Sequence, residues 1–321
     1  MRILLIALLD TLENKVQPLE EAGHTVKLIT GRGDLVEDGE PVYYSLFAGD
    51  DIAVAHALRE IDAFSPDLVI NAISWLVLPP SDDYTYCGNT TASARLETHR
   101  WETRAKAQEL GWSLPTVIHE CKMNEVPEYN KTVYVKEKYD SQAKQIYKLP
   151  PNDAGNASEW FNRVMTSNEL TGDAYVEDSV DYAVEAWCYF TICNGSYSIV
   201  RSLAATGYGD DKLLGGVSDW RLSQVRIYDL TESQSAAWLE KCNAWLTYAA
   251  TLGGNYEGLI GGCITEDNEV FWFEHGGRPE TYNSGALPGT IQDWIDSLTV
   301  DSTKAIHHIS AAEMRENGGY G

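Results

Sequence analysis

At 321 residues, with 44% hydrophobic and 11% aromatic side chains, the chain is long enough for two or three domains with buried cores. A formal net charge of −24 argues against a general binder of nucleic acid or of anionic membranes, since either needs a basic surface to displace counterions. No apolar run approaches the ~20 residues of a membrane span.

The opening MRILLIALLD reads as a first buried strand rather than a signal peptide: it lacks a cationic region followed by a small-residue cleavage site, and acidic residues follow at once. Residues 14–22 predict a helix ended by Gly23, HTVKLIT a second strand, residues 51–63 a helix and SPDLVINAIS a third strand. Repeated strand-helix-strand order implies a parallel sheet covered by helices on both faces. No glycine fingerprint follows the first strand, so this Rossmann-like unit is expected to serve as a platform rather than a dinucleotide site. Residues 92–110 predict one long charge-rich helix, stopped by the glycine and proline of GWSLPT.

From residue 129 onward the pattern turns to short β-rich segments, with NGS between two of them as a hairpin signal and a single helix over 233–252. The tail after residue 306 is expected to fray. Six cysteines (Cys87, Cys121, Cys188, Cys193, Cys242 and Cys263) are scattered, with no C-x-x-C pair and no zinc spacing. They predict free thiols in a reducing compartment, hence a cytoplasmic protein.

Four stretches carry chemistry. LGWSLPT followed by YVKEKYDSQAK places Lys136 and Lys144 eight residues apart, two cations able to hold phosphates, in a loop without glycine. AYVEDSVDYAVEAW offers Glu177, Val180 and Glu185 on an acidic strand-like segment. GYGDDKLLGGV, residues 207–217, is a glycine-bearing loop after the hairpin, with Arg201 at the end of the strand before it and Trp220 just beyond. YEGLIGGCITEDNEVFWFEHGGRPET is a strand, acidic turn and strand ending on Glu274 and Arg278.

The order of these stretches resembles the ATP-grasp superfamily, and within it the phosphoribosylamine–glycine ligases. The first resembles their "GIPTA" and "VVKADGLAAGK" segments, the second the "EEF" linker that wraps adenine, the third their glycine-rich loop. The fourth is similar to their Tyr-x-Gly, strand, turn, strand and Glu-x-Asn-x-Arg sequence, with Gly276 in place of the asparagine. The likeness covers residues 91–295 by motif; neither the ribosyl-phosphate loop nor the C-terminal domain of those ligases has a counterpart.

The resemblance implies an α/β and α+β, ATP-grasp fold: a Rossmann-like parallel-sheet domain (1–114), a small lid (115–178), a C-terminal antiparallel catalytic subdomain (179–310) and a tail (311–321). It implies ATP and Mg²⁺ as cofactors. Lys136 and Lys144 would hold phosphates, Glu177 and Val180 would meet adenine, and Glu185 the ribose hydroxyls. Glu274, with Asn283 in support, would ligate Mg²⁺, and Arg278 and Arg201 would hold an acyl-phosphate. The implied reaction joins a small carboxylate, such as an amino acid, to an amine. Phosphotransfer without ligation and nucleotide binding without turnover stay open beside it, and so does a homodimer.

Overall fold

The first strand is apolar on both sides because both sides are covered. In the computed structural model, which describes residues 1–7, 12–30, 36–37, 40–41, 50–121, 129–139, 146–149, 174–206, 226–228, 230–277 and 291–300, β1 (Arg2–Ala7) lies inside a parallel sheet. Around it come α1 (Glu13–Glu21), β2 (Thr25–Thr30), the short pair β3 (Val36–Glu37) and β4 (Glu40–Pro41), α2 (Asp50–Phe64), β5 (Leu68–Asn71) and β6 (Thr85–Cys87). The order β2-β1-β5-β6 is parallel throughout. Leu4 and Ile6 pack on Ala53, Ala57 and Ile61 of α2, whereas Ile3 and Leu5 face Leu19 of α1. Gly23, at φ 87°, takes the left-handed conformation that ends α1.

The expected long helix is two: α3 (Thr91–Thr98) and α4 (Arg100–Glu109), broken at His99, whose φ and ψ are −115° and 62°. A tertiary bond accounts for the break. The Trp101 amide, which an unbroken helix would bond to residue 97, donates to the carbonyl of Lys138 at 3.2 Å. Thr103 Oγ1 donates to the Leu96 carbonyl at 3.0 Å and satisfies an acceptor that the break frees. The expected stop is present, with Gly111 at φ 82°.

A second sheet is antiparallel: β7 (Val117–Cys121), β8 (Val133–Glu137), β9 (Ile146–Leu149) and β10 (Ala174–Asp178), in the order β7-β10-β8-β9. The third comprises β11 (Val184–Cys193), β12 (Ser196–Thr206), β13 (Arg226–Tyr228), β14 (Tyr256–Ile264) and β15 (Val270–Gly276), ordered β13-β12-β11-β14-β15. Asn194 and Gly195, at φ 50° and 79°, make the two-residue turn that NGS predicts. The helix α5 (Glu232–Thr251), capped by Thr231 and Gln234 in a capping box, covers one face of this sheet. Trp238, Cys242, Trp245 and Leu246 of α5 meet Ala186, Cys188, Phe190 and Ile192 there, and Trp112 and Trp272 complete the core.

One docking was not expected from the sequence. Helix α6 (Ile291–Thr299) returns to the first sheet, where Trp294, Ile295 and Leu298 join the core beside α1. Trp294 Nε1 donates to the buried Glu257 carboxylate at 2.9 Å, tying that sheet to β14. Among the described residues no helix is long and apolar enough to cross a membrane, and the five cysteines whose side chains are described are buried free thiols. The tail, the 207–217 loop and Trp220 lie outside the described residues.

Close strand packing makes Gly262 a test of this core. A Cβ there would stand 2.3 Å from the Phe271 carbonyl oxygen and 2.9 Å from Trp238. Gly262→Ala is expected to cost about 1–3 kcal/mol, read as a lower urea midpoint with an unchanged m-value.

Candidate functional site

Antiparallel alternation decides which side chains meet. In the small sheet Lys136 pairs with Tyr175 and Tyr134 with Glu177, so all four stand on one face. Helix α4 packs on that face: Trp101 lies 5.2 Å from the Tyr175 ring, and Arg104 Nη1 donates to Glu177 Oε2 at 2.7 Å. The Lys136 ammonium pairs with Glu177 Oε1. Glu177 is 1% exposed, so its charge is tolerable only because two cations share it.

In the five-stranded sheet, Phe190 and its even-numbered neighbours face α5, which leaves Glu185 and Trp187 on the other side. Glu185 stands opposite Cys263, and Trp187 opposite Gly261. The ladder shifts register at Gly261 and Gly262, which pair with Glu274 and Trp272 and leave Phe273 as an extra residue. Such a bulge leaves Phe273 and Glu274 on the same face. Phe273 is the seam between the sheets. Its ring lies 5.7 Å from Lys136 Nζ and 6.3 Å from the Tyr182 ring.

Tyr182 donates its hydroxyl to Glu185 at 2.5 Å. Burial, and then the Glu185 charge, hold that phenol well above its usual range, so it stays a donor. Burial also pushes the Cys263 thiol up, with Glu185 adding to the rise and Lys136 opposing it. Lys136 and Glu185 therefore converge on Cys263 from different sheets. Val180 lies half-buried between β10 and β11.

Glu274 is exposed. A Cβ at Gly261 would lie 3.0 Å from its Cγ, and Trp187 flanks the same spot. Gly276 follows two residues on, and the side chain between them turns away: His275 is buried, and its Nδ1 accepts a hydrogen bond from Trp245 Nε1 at 3.0 Å. An indole only donates, so the neutral ring carries its proton on Nε2. No cluster of three His, Cys, Asp or Glu fit to hold a metal exists among the described residues. One exposed carboxylate suits a magnesium ion carried on nucleotide phosphates and water, not a cage made of protein alone.

Lys136 and Glu177 thus lie to one side of the Phe273 ring and Tyr182 and Glu185 to the other, with Glu274 on the same face of the large sheet as Glu185. The backbone of Arg201 pairs with Tyr189, next to Trp187's row. Lys144, Arg278 and Asn283 lie outside the described residues. Sequence reading missed Arg104, Tyr182 and Phe273. Tyr182 had a signal, three residues before Glu185 inside the acidic segment; Arg104 on a charged helix had none.

No family model matches the chain, and no curated protein matches its sequence. Solved structures do. The L-amino acid ligase of Bacillus licheniformis superposes with a TM-score of 0.63 at 12% identity, over 98% of this chain and 76% of that one. The N5-carboxyaminoimidazole synthetase of Staphylococcus aureus, complexed with ADP, gives 0.60 at 11%, over 92% and 76%. The VanG D-Ala:D-Ser ligase of Enterococcus faecalis gives 0.57 at 13%, over 98% and 97%. At such identities the likeness is one of fold, and the fold is ATP-grasp.

His275 ties stability to pH. Burial brings its pKa down from 6.5 to about 4, with Glu97 opposing. Below pH 6.5 the unfolded chain takes up a proton that the folded one refuses, so stability is full above that value and falls as pH drops toward 4. The loss approaches about 3 kcal/mol. Urea midpoints measured from pH 7 to 4.5 should fall less steeply in His275→Gln than in wild type; parallel slopes would rule out this source.

Proposed function

We propose that the chain is an ATP-dependent carboxylate–amine ligase that works through an acyl-phosphate. The observation that supports the reading is the approach of Lys136 from the small sheet and of Glu185, through Tyr182, from the large one to either side of Phe273, in the fold of ATP-dependent ligases. Lys136, joined by Lys144, holds phosphate oxygens. The backbone at Val180 reads the base edge beside Glu177, and Glu185, oriented by Tyr182, accepts from the ribose hydroxyls.

The γ-phosphoryl group passes to a carboxylate oxygen and ADP leaves. An amine then attacks the acyl carbon, phosphate departs and the amine loses a proton. Arg278 and Arg201 hold the acyl-phosphate during this exchange. Glu274, with Asn283 in support, would hold magnesium, which would supply charge neutralisation at the phosphates. Catalysis on this reading is positioning and electrostatics, in a cleft that excludes water from a hydrolysable intermediate. Two of the similar structures are, by name, ligases of amino acids, which supports amino acids as the first carboxylates and amines to try. The buried free thiols suit a cytoplasmic enzyme. Motif order alone supports the narrower likeness to phosphoribosylamine–glycine ligase.

A second reading, nucleotide binding without turnover, is favoured by one feature: Gly261 and Gly276 flank Glu274 where oxygen ligands would strengthen a metal site. An ADP-release assay over a matrix of amino acids separates the two. Ligase activity predicts release that needs both a carboxylate and an amine. Lys136→Ala should lower kcat/KM by about 10²–10³-fold, and Glu274→Ala by about 10²-fold. Release without an amine would identify a phosphotransferase. ATP binding with no turnover across the matrix would favour the second reading, and no ATP binding at all would remove both.

A further inference from the structure

Among the described residues the chain passes between the central body and the small sheet at 115–117 and again at 177–179, and one side chain of the body grips both crossings. Arg104 donates from Nη2 to the Pro115 carbonyl on the first and from Nη1 to Glu177 on the second, the latter at 2.7 Å. The crossings are also bonded to each other, Asp178 N–H to the Thr116 carbonyl at 2.9 Å. The guanidinium lies 5.8 Å from the Tyr175 ring, so it is fixed by stacking as well as by charge.

The other oxygen of Glu177 takes Lys136, which belongs to the small sheet itself. The side chains of Arg104, Glu177 and Lys136 are 11%, 2% and 9% exposed. Two cations therefore share one carboxylate in a nearly dry place, where charge–charge interactions are little screened. If Arg104 were absent, Glu177 would hold Lys136 alone and more tightly. An incoming phosphate would then have to break that pair and leave a buried carboxylate unmatched.

We propose that Arg104 is a positioning residue for the nucleotide site: it latches the small sheet to the body and, by holding Glu177, leaves the Lys136 ammonium able to pass to the phosphates of a nucleoside polyphosphate. The second half rests on the proposed nucleotide site; the latch does not. A planar fork presents one nitrogen to the carbonyl and another to the carboxylate, whereas a lysine must reach both from a single nitrogen.

The test uses the full chain and two variants, Arg104→Met and Arg104→Lys. Hydrogen exchange on nucleotide-free protein reads the latch. Amides of Asp178 and Ser179 should exchange at least about tenfold faster in both variants while those of β11 and β14 keep wild-type rates. Should Arg104→Met fail to fold, Arg104→Lys, which keeps the charge, reads the same amides. Unchanged exchange at Asp178 overturns the latch whether or not nucleotide binds.

ADP affinity by calorimetry reads the handover. Arg104→Lys should bind ADP about tenfold more weakly than wild type with Lys136 intact. Faster exchange with unaltered ADP affinity would make Arg104 merely structural and overturn the positioning role. A wild type that does not bind ADP would refute the nucleotide site and the handover with it, and the exchange result would still decide the latch.

Discussion

A carboxylate taken out of water must be met by cations, and the site is built around one such requirement. Glu177 lies on β10, nearly inaccessible, where an unpaired charge would cost several kcal/mol. Its partners come from elsewhere in the chain, Arg104 from α4 and Lys136 from β8. Satisfying one anion therefore fixes the helix, the small sheet and the crossing between sheets in one arrangement.

The large sheet contributes by having two unlike faces. On one, Trp238 and Trp245 of α5 bury Phe190 and Ile192 with Trp272, giving a rigid aromatic backing. The other carries Glu185, Trp187 and Glu274. With Trp272 in the core, alternation already sends Phe273 to the opposite face. The bulge at Gly261 and Gly262 keeps Glu274 on that face too, and the Phe273 ring reaches Lys136 on one side and Tyr182 on the other. His275, one residue past Glu274, goes back into the core and anchors the strand end through Trp245.

Local order was legible wherever its cause is local. The apolar run of β1, the Asn194–Gly195 turn and the glycine stops of α1 and α4 are written in a few neighbouring residues. Lys136, Glu177 and Glu185 are singled out by motif order rather than by any single motif. What escaped depends on partners distant in sequence. The break at His99 follows from a bond between Trp101 and Lys138, and Arg104 acquires meaning only against Pro115 and Glu177. Helix α6 carries an apolar stripe that no spacing assigns to the first sheet rather than the third.

A nucleotide held between the small and large sheets is the central claim, and photo-crosslinking tests it without depending on turnover. With 8-azido-ADP under ultraviolet light, labelled peptides should map to β8, β10 and the start of β11, and excess ADP should abolish the labelling. Saturable label confined to the mouth of the parallel sheet, or no saturable label at all, would contradict the account.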